Sequence, residues 1–171
     1  MPFNADPACF GPYTKVPDDP ALRASAGQGA HDYGANYDPA LPSEFRCDDA
    51  ARGAFGAGAA AWYLLPPGRG LATAPPGRLH CGTRLTGWLS GWRGAAGTAP
   101  DDWHYAVPAD GALPPAAGLP PAHGAVCFDG FNGVCEMPVA VRAVGCGDFD
   151  LWALPPIPDC GSYGLAYCLA A

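Results

Sequence analysis

Val139-Ala140-Val141-Arg142-Ala143-Val144, then Gly145-Cys146-Gly147-Asp148, then Phe149-Asp150-Leu151-Trp152-Ala153-Leu154 is the stretch from which the fold is read. The two six-residue runs alternate apolar with small or polar residues, the second more cleanly than the first, and four turn-forming residues separate them. This is the pattern of two antiparallel strands joined as a hairpin. Pro155-Pro156 stops the second run, and Leu165-Ala166-Tyr167-Cys168 offers a last short strand. Upstream, Trp62-Tyr63-Leu64-Leu65 and Trp88-Leu89-Ser90-Gly91-Trp92 read as two further strand candidates, the first of them buried.

Between these runs the composition turns against helices. The 171 residues include 24 Gly, 21 Pro and 33 Ala. The Ala-rich stretch Ala50 to Ala61 suits a helical turn, yet Gly53, Gly56 and Gly58 weaken it. Pro66-Pro67-Gly68-Arg69 and Pro75-Pro76-Gly77-Arg78 repeat after nine residues as Pro-Gly turns, too short a period for a solenoid. Five Trp, seven Tyr, seven Phe and eight Cys argue for a folded domain over a disordered one. The expected fold is mostly β and coil, a small disulfide-stapled single domain with short antiparallel strands and long Gly/Pro/Ala-rich loops. Its parts are an N-terminal arm (1–47) with little regular structure, a Trp-rich middle (48–93), a low-complexity, polyproline-like surface loop (94–121) and a C-terminal hairpin region (122–171).

Charge excludes one class of partner. Lys15 and eight scattered Arg face sixteen acidic residues, for a net charge of -7, so the clustered cations that phosphate backbones require are missing and nucleic acid is not expected. No run of about 18 apolar residues is present to span a membrane as a helix. Met1-Pro2-Phe3-Asn4 lacks the charged and apolar regions of a signal peptide, so an extracellular chain would be numbered here as a mature domain or an excised piece.

Cys9, Cys47, Cys81, Cys127, Cys135, Cys146, Cys160 and Cys168 make an even set whose closest members stand eight residues apart. No zinc-ribbon spacing occurs, and four disulfides formed in an oxidising compartment are the better reading. Arithmetic leaves 105 connectivities open.

The neighbourhoods of these cysteines carry a family resemblance. Cys9 with Tyr13 and Asp19-Pro20-Ala21-Leu22-Arg23, Cys47-Asp48 with Trp62-Tyr63, Cys81-Gly82-Thr83 with Trp88-Leu89-Ser90-Gly91, and Val139 to Cys146 with Phe149, Trp152, Leu154, Pro155-Pro156, Cys160 and Leu165-Ala166-Tyr167-Cys168 follow one another in a familiar order. In that order the chain resembles the eight-cysteine extracellular domain of the uromodulin and zymogen-granule glycoprotein family. The resemblance implies the pairs Cys9 with Cys146, Cys47 with Cys160, Cys81 with Cys168, and Cys127 with Cys135. The uromodulin domain carries one more pair, and both of its members are missing here. Insertions rich in Ala, Gly and Pro lengthen the first inter-cysteine segment and the 94–121 loop, so the resemblance says nothing of what those loops do.

Catalytic groupings are thin. His31, His80, His104 and His123 are dispersed, and no Gly-x-Ser-x-Gly, His-Glu-x-x-His or phosphate loop occurs. Asp101-Asp102 beside His104, and Asp148 with Asp150, are carboxylate pairs of the kind glycoside hydrolysis uses, with solvated turn positions as the plainer reading. Asp129-Gly130-Phe131-Asn132-Gly133 has two oxygen side chains but not the EF-hand register, so no metal is expected. Trp92 and Trp103, with Asp101 and Asp102, are the candidate binding residues. Trp62, Trp88 and Trp152 are expected in the core. No Asn-x-Ser/Thr sequon exists, which leaves the Pro-Pro pairs as candidate hydroxylation and O-glycosylation positions of a glycoprotein.

The expected function is a non-enzymatic extracellular module of the cell surface or matrix, structural or adhesive, with self-assembly into a filament among its expected behaviours. Its partners would be itself, other extracellular proteins or glycans. No cofactor is expected. The alternative is a carbohydrate-binding module using loop aromatics.

Overall fold

Among the described residues seven strands form one sheet, which curls back on itself. The computed structural model describes residues 5–16, 48, 55, 61–74, 80–81, 83, 85–90, 113–129, 137–157 and 164–170. The strands are β1 (Thr14–Lys15), β2 (Tyr63–Leu64), β3 (Leu85–Ser90), β4 (Ala122–Asp129), β5 (Met137–Gly145), β6 (Asp150–Ala153) and β7 (Leu165–Tyr167), in the order β1-β2-β6-β5-β4-β3-β7. The expected mostly β and coil architecture is therefore the observed one. The hairpin is β5–β6, with Gly145 opposite Asp150 and the Cys146 N–H donating to the Phe149 carbonyl at 2.8 Å.

Two features depart from the expectation. The strands are not all antiparallel, because β1 joins β2 and β7 joins β3 in parallel register. The N-terminal arm is also more regular than its composition suggests. It contributes a 3-10 turn, Pro7–Phe10, whose first turn is capped by the Asp6 carboxylate accepting the Ala8 N–H at 2.9 Å, and then β1 and the buried Val16.

The strand candidates shift slightly. Of Trp62 to Leu65, the strand keeps Tyr63–Leu64, and Trp62 is half-buried instead of lying in the core. The 88–92 candidate becomes Leu85–Ser90, with Trp88 fully buried. Of the low-complexity loop, residues 113–121 are described: Leu119 is 52% exposed, as a surface loop requires, whereas Leu113 packs on the core. The second Pro-Gly turn and most of the Ala50 to Ala61 stretch lie outside the described residues.

Register divides the side chains between two faces. Tyr63, Trp152, Ala143, Val141, Val126, Phe128, Leu89, Leu165 and Tyr167 share one face and form the main core. Phe55 joins them and reveals the curl. Its ring stands 5.0 Å from Tyr63 on β2 and 5.1 Å from Tyr167 on β7, both edge-on. In a flat sheet those strands, five positions apart, would be separated by roughly 24 Å. The sheet thus wraps around this core as an open barrel. The chain after β2 helps close the gap: Leu71 bridges Leu169, and the Ala72 N–H donates to the Cys168 carbonyl at 2.9 Å while the Ala72 carbonyl accepts the Leu89 N–H at 2.7 Å.

Small residues permit the tight interior. A Cβ on Gly145 would run into the Pro115 carbonyl oxygen, so the 113–117 segment lies directly on the backbone there.

Two clusters pack on the opposite face. Val144, Leu151 and Cys146 meet Ala8, Cys9, Tyr13, Trp62, Leu64 and Phe149, while Trp88 sits among Ala72, Cys81, Cys127 and Cys168. Disulfides anchor each cluster, Cys9 with Cys146 and Cys81 with Cys168, across sequence separations of 137 and 87. Cys127 is disulfide-bonded as well. Cys47, Cys135 and Cys160 lie outside the described residues.

Candidate functional site

A groove of about 540 Å³ opens beside the β5–β6 turn, lined in part by Leu64 of β2 and by Asp150 and Trp152 of β6. One wall is the turn Pro66-Pro67-Gly68-Arg69, closed by the Arg69 N–H donating to the Pro66 carbonyl at 3.0 Å, with Gly68 at φ +73°. Proline before a left-handed glycine is the sequence such a turn selects. Arg69 is held in place, its Nη1 donating to the Ala170 carbonyl at 3.1 Å, and the Ala170 N–H returns a bond to the Gly70 carbonyl at 2.8 Å.

The facing wall is the β5–β6 turn with Asp148, Phe149 and Asp150; Trp152, Leu65 and Pro114 complete the lining. Phe149 is braced from behind by Tyr13, ring centroids 5.7 Å apart, in the cluster that the Cys9–Cys146 bridge anchors. Partial burial raises the Asp150 carboxyl above its ordinary value of 3.8. Asp148 is exposed. An aromatic side chain, two carboxylates and a positioned guanidinium around one groove suit a ligand with both apolar and hydroxyl-bearing surface.

A second, shallower groove of about 470 Å³ runs between Pro7, Ala8, Gly11, Pro12, Tyr13 and Thr14 on the arm and Ala61 and Trp62 on the middle segment. Trp62 is half-covered on the sheet side by Arg142, whose guanidinium carbon lies 5.1 Å from the ring centroid. Phe10, 65% exposed, is the most exposed large apolar side chain among the described residues.

The sequence candidates Trp92, Trp103, Asp101 and Asp102, with His31 and His104, lie outside the described residues, as does most of the Asp129 to Gly133 loop. Asp148 and Asp150 come together on one groove wall. Sequence reasoning missed Phe149, Tyr13 and Trp62 as groove residues. Phe149 and Tyr13 are brought together by a bridge between distant cysteines, so no local pattern shows them. Among the described residues no three His, Cys, Asp or Glu side chains stand close enough to hold a metal ion, and no helix is long and apolar enough to cross a membrane. No protein-family model and no curated protein matches the chain.

Proposed function

We propose that the chain is a non-enzymatic extracellular module, structural or adhesive in role, whose partners are further copies of itself or other extracellular proteins. The observation that carries this reading is the oxidised cysteine framework. Bridges spanning 137 and 87 residues tie the arm and the middle of the chain to its C-terminal part, and bridges of this kind persist in oxidising compartments. Both coincide with pairs that the resemblance to the uromodulin-type domain implies, which supports a module of that kind. The clusters under them are small, as expected of a domain held by staples as much as by its core.

The experiment is fractionation of the source cells followed by thiol alkylation before and after reduction. Protein in the medium, surface or matrix fraction, with every cysteine blocked until reduction, is the expected result. Free thiols in a cytosolic pool would end the reading, and so would turnover of a glycoside that Asp150→Asn abolishes.

A second reading, glycan binding, is favoured by one observation: Phe149, Asp148, Asp150 and Arg69 line a single groove. Binding on a glycan array that Phe149→Ala removes would support it. Equal signals from wild type and variant would count against it.

A further inference from the structure

We infer that the domain is built to carry tension, with the Cys9–Cys146 bridge routing force around most of the sheet and Cys81–Cys168 tying the exit point back to it. All seven strands lie between Cys9 and Cys168. A pull entering on the N-terminal side of Cys9 crosses to Cys146 through the first bridge, because that covalent path is shorter than the chain. It then runs the 22 residue steps from Cys146 to Cys168, where the second bridge ties the exit point to Cys81 beside β3. Strands β1 to β5 are thereby bypassed, and the loaded strap contains β6 and β7 alone among the strands.

The described part of that strap is cross-braced. Strand β6 is hydrogen-bonded on both sides, to β2 and to β5. Asp48 grips the strap at three places: its N–H donates to the Leu165 carbonyl at 2.9 Å, its carbonyl accepts the Ile157 N–H at 2.9 Å, and its carboxylate accepts the Tyr167 N–H at 2.8 Å. The Tyr167 hydroxyl donates to the Pro155 carbonyl at 2.6 Å and closes a loop within the strap. The Tyr167 N–H to Asp48 carboxylate bond is buried, so water does not compete for it. A bridge that merely stabilised the fold would do so wherever its ends fell. Here both bridges converge on the ends of one braced segment.

The inference rests on the proposed extracellular role for the source of the load. The whole chain, tethered at both ends, is stretched in a single-molecule instrument, first without and then with reductant. At ~3.4 Å per extended residue, the strap can release no more than about 75 Å while the bridges hold, against about 540 Å for Cys9 to Cys168 after reduction. A short step that becomes a several-hundred-ångström step on reduction is the expected result. A long step without reductant means that Cys9–Cys146 is open and overturns the inference together with the ground of the extracellular reading, whereas a short step whose force does not depend on the bracing overturns the inference alone. Tyr167→Phe, which keeps the fold's hydrophobic contacts, is expected to lower the force of the short step; an unchanged force would mean that the bracing carries no load. Oxidised protein recovered from a cytosolic fraction would remove the extracellular reading without altering the stretching result.

Discussion

The central strands β4, β5 and β6 and the two outer strands β1 and β7 are stabilised in different ways. The central three are antiparallel and four to nine residues long, and their ladders run from Ala122 opposite Ala143 to Gly145 opposite Asp150. The outer two are two and three residues long and pair in parallel. A ladder of two or three residues cannot offset the entropy of fixing its own backbone. What holds the outer strands is brought from elsewhere: Cys9–Cys146 beside β1, and Cys81–Cys168 with Asp48 beside β7. Each outer strand thus sits beside one of the two long bridges.

If that division is right, the largest single loss comes from a staple. In the chain-entropy model a loop of 137 residues is worth about 5 kcal/mol, so the paired replacement Cys9→Ala with Cys146→Ala is expected to cost close to that in urea unfolding. In the central block, Trp152→Ala deletes a buried ring and is expected to cost about 3 to 5 kcal/mol. Hydrogen exchange separates the two effects. The bridge variant should expose the amides of Thr14 and Val16 before those of β4 and β5, whereas the Trp152 variant should loosen the hairpin. Uniform loss of protection in both variants would break the comparison.

The same contrast explains what was legible in the sequence. The hairpin was visible because Val141, Ala143 and Trp152 face the core while Arg142 and Leu151 face away, so alternation survives in the letters. Strand β4 was not, although it pairs on both sides. Its Ala122-His123-Gly124-Ala125 is poor in β-formers, because the curled interior has no room: a Cβ on Gly124 would meet the Leu113 side chain. The outer strands are too short for any periodicity. The residue whose contacts reveal the curl, Phe55, is an isolated aromatic in an Ala/Gly-rich stretch. Trp62 misled for another reason, since an aromatic before a strand reads as core unless one knows that Arg142 covers its face.

A smaller effect tests the β7 edge. Asp48 supplies both a donor and an acceptor to the outward side of β7, as a neighbouring strand would. Asp48→Ala leaves the buried Tyr167 N–H without that acceptor and should cost about 1 to 3 kcal/mol, with Asp48→Asn recovering much of it because its side-chain oxygen still accepts. High pH tests the same corner. Burial above all, then the Asp48 carboxylate and Tyr63, push the Tyr167 phenol well above its ordinary 10.0. The folded state therefore holds that proton where the unfolded state releases it. Below pH 10 stability is unaffected; above it stability falls, by up to about 1.4 kcal/mol per pH unit. Tyr167→Phe should flatten that alkaline slope in denaturant titrations, and an unchanged slope would shift the alkaline weakness away from the edge.

The smallest expected effect lies at the groove and has the opposite sign. Asp150 opens the central strand β6, and partial burial raises its carboxyl above 3.8 in the folded state. An acid whose folded value is raised weakens the fold wherever it is ionised, above its unfolded value, and ceases to do so when both states are protonated. Asp150→Asn should accordingly raise the melting temperature slightly at pH 7 and leave it unchanged near pH 3. The gain is small because the side chain is largely exposed and solvent screens it. A gain at neutral pH that disappears in acid would mean that the central block carries an unfavourable carboxylate in the groove that Phe149 and Arg69 also line. Such a carboxylate would favour the glycan-binding reading of the groove. No gain would make Asp150 an ordinary polar strand end, and the groove would then lose its strongest electrostatic argument.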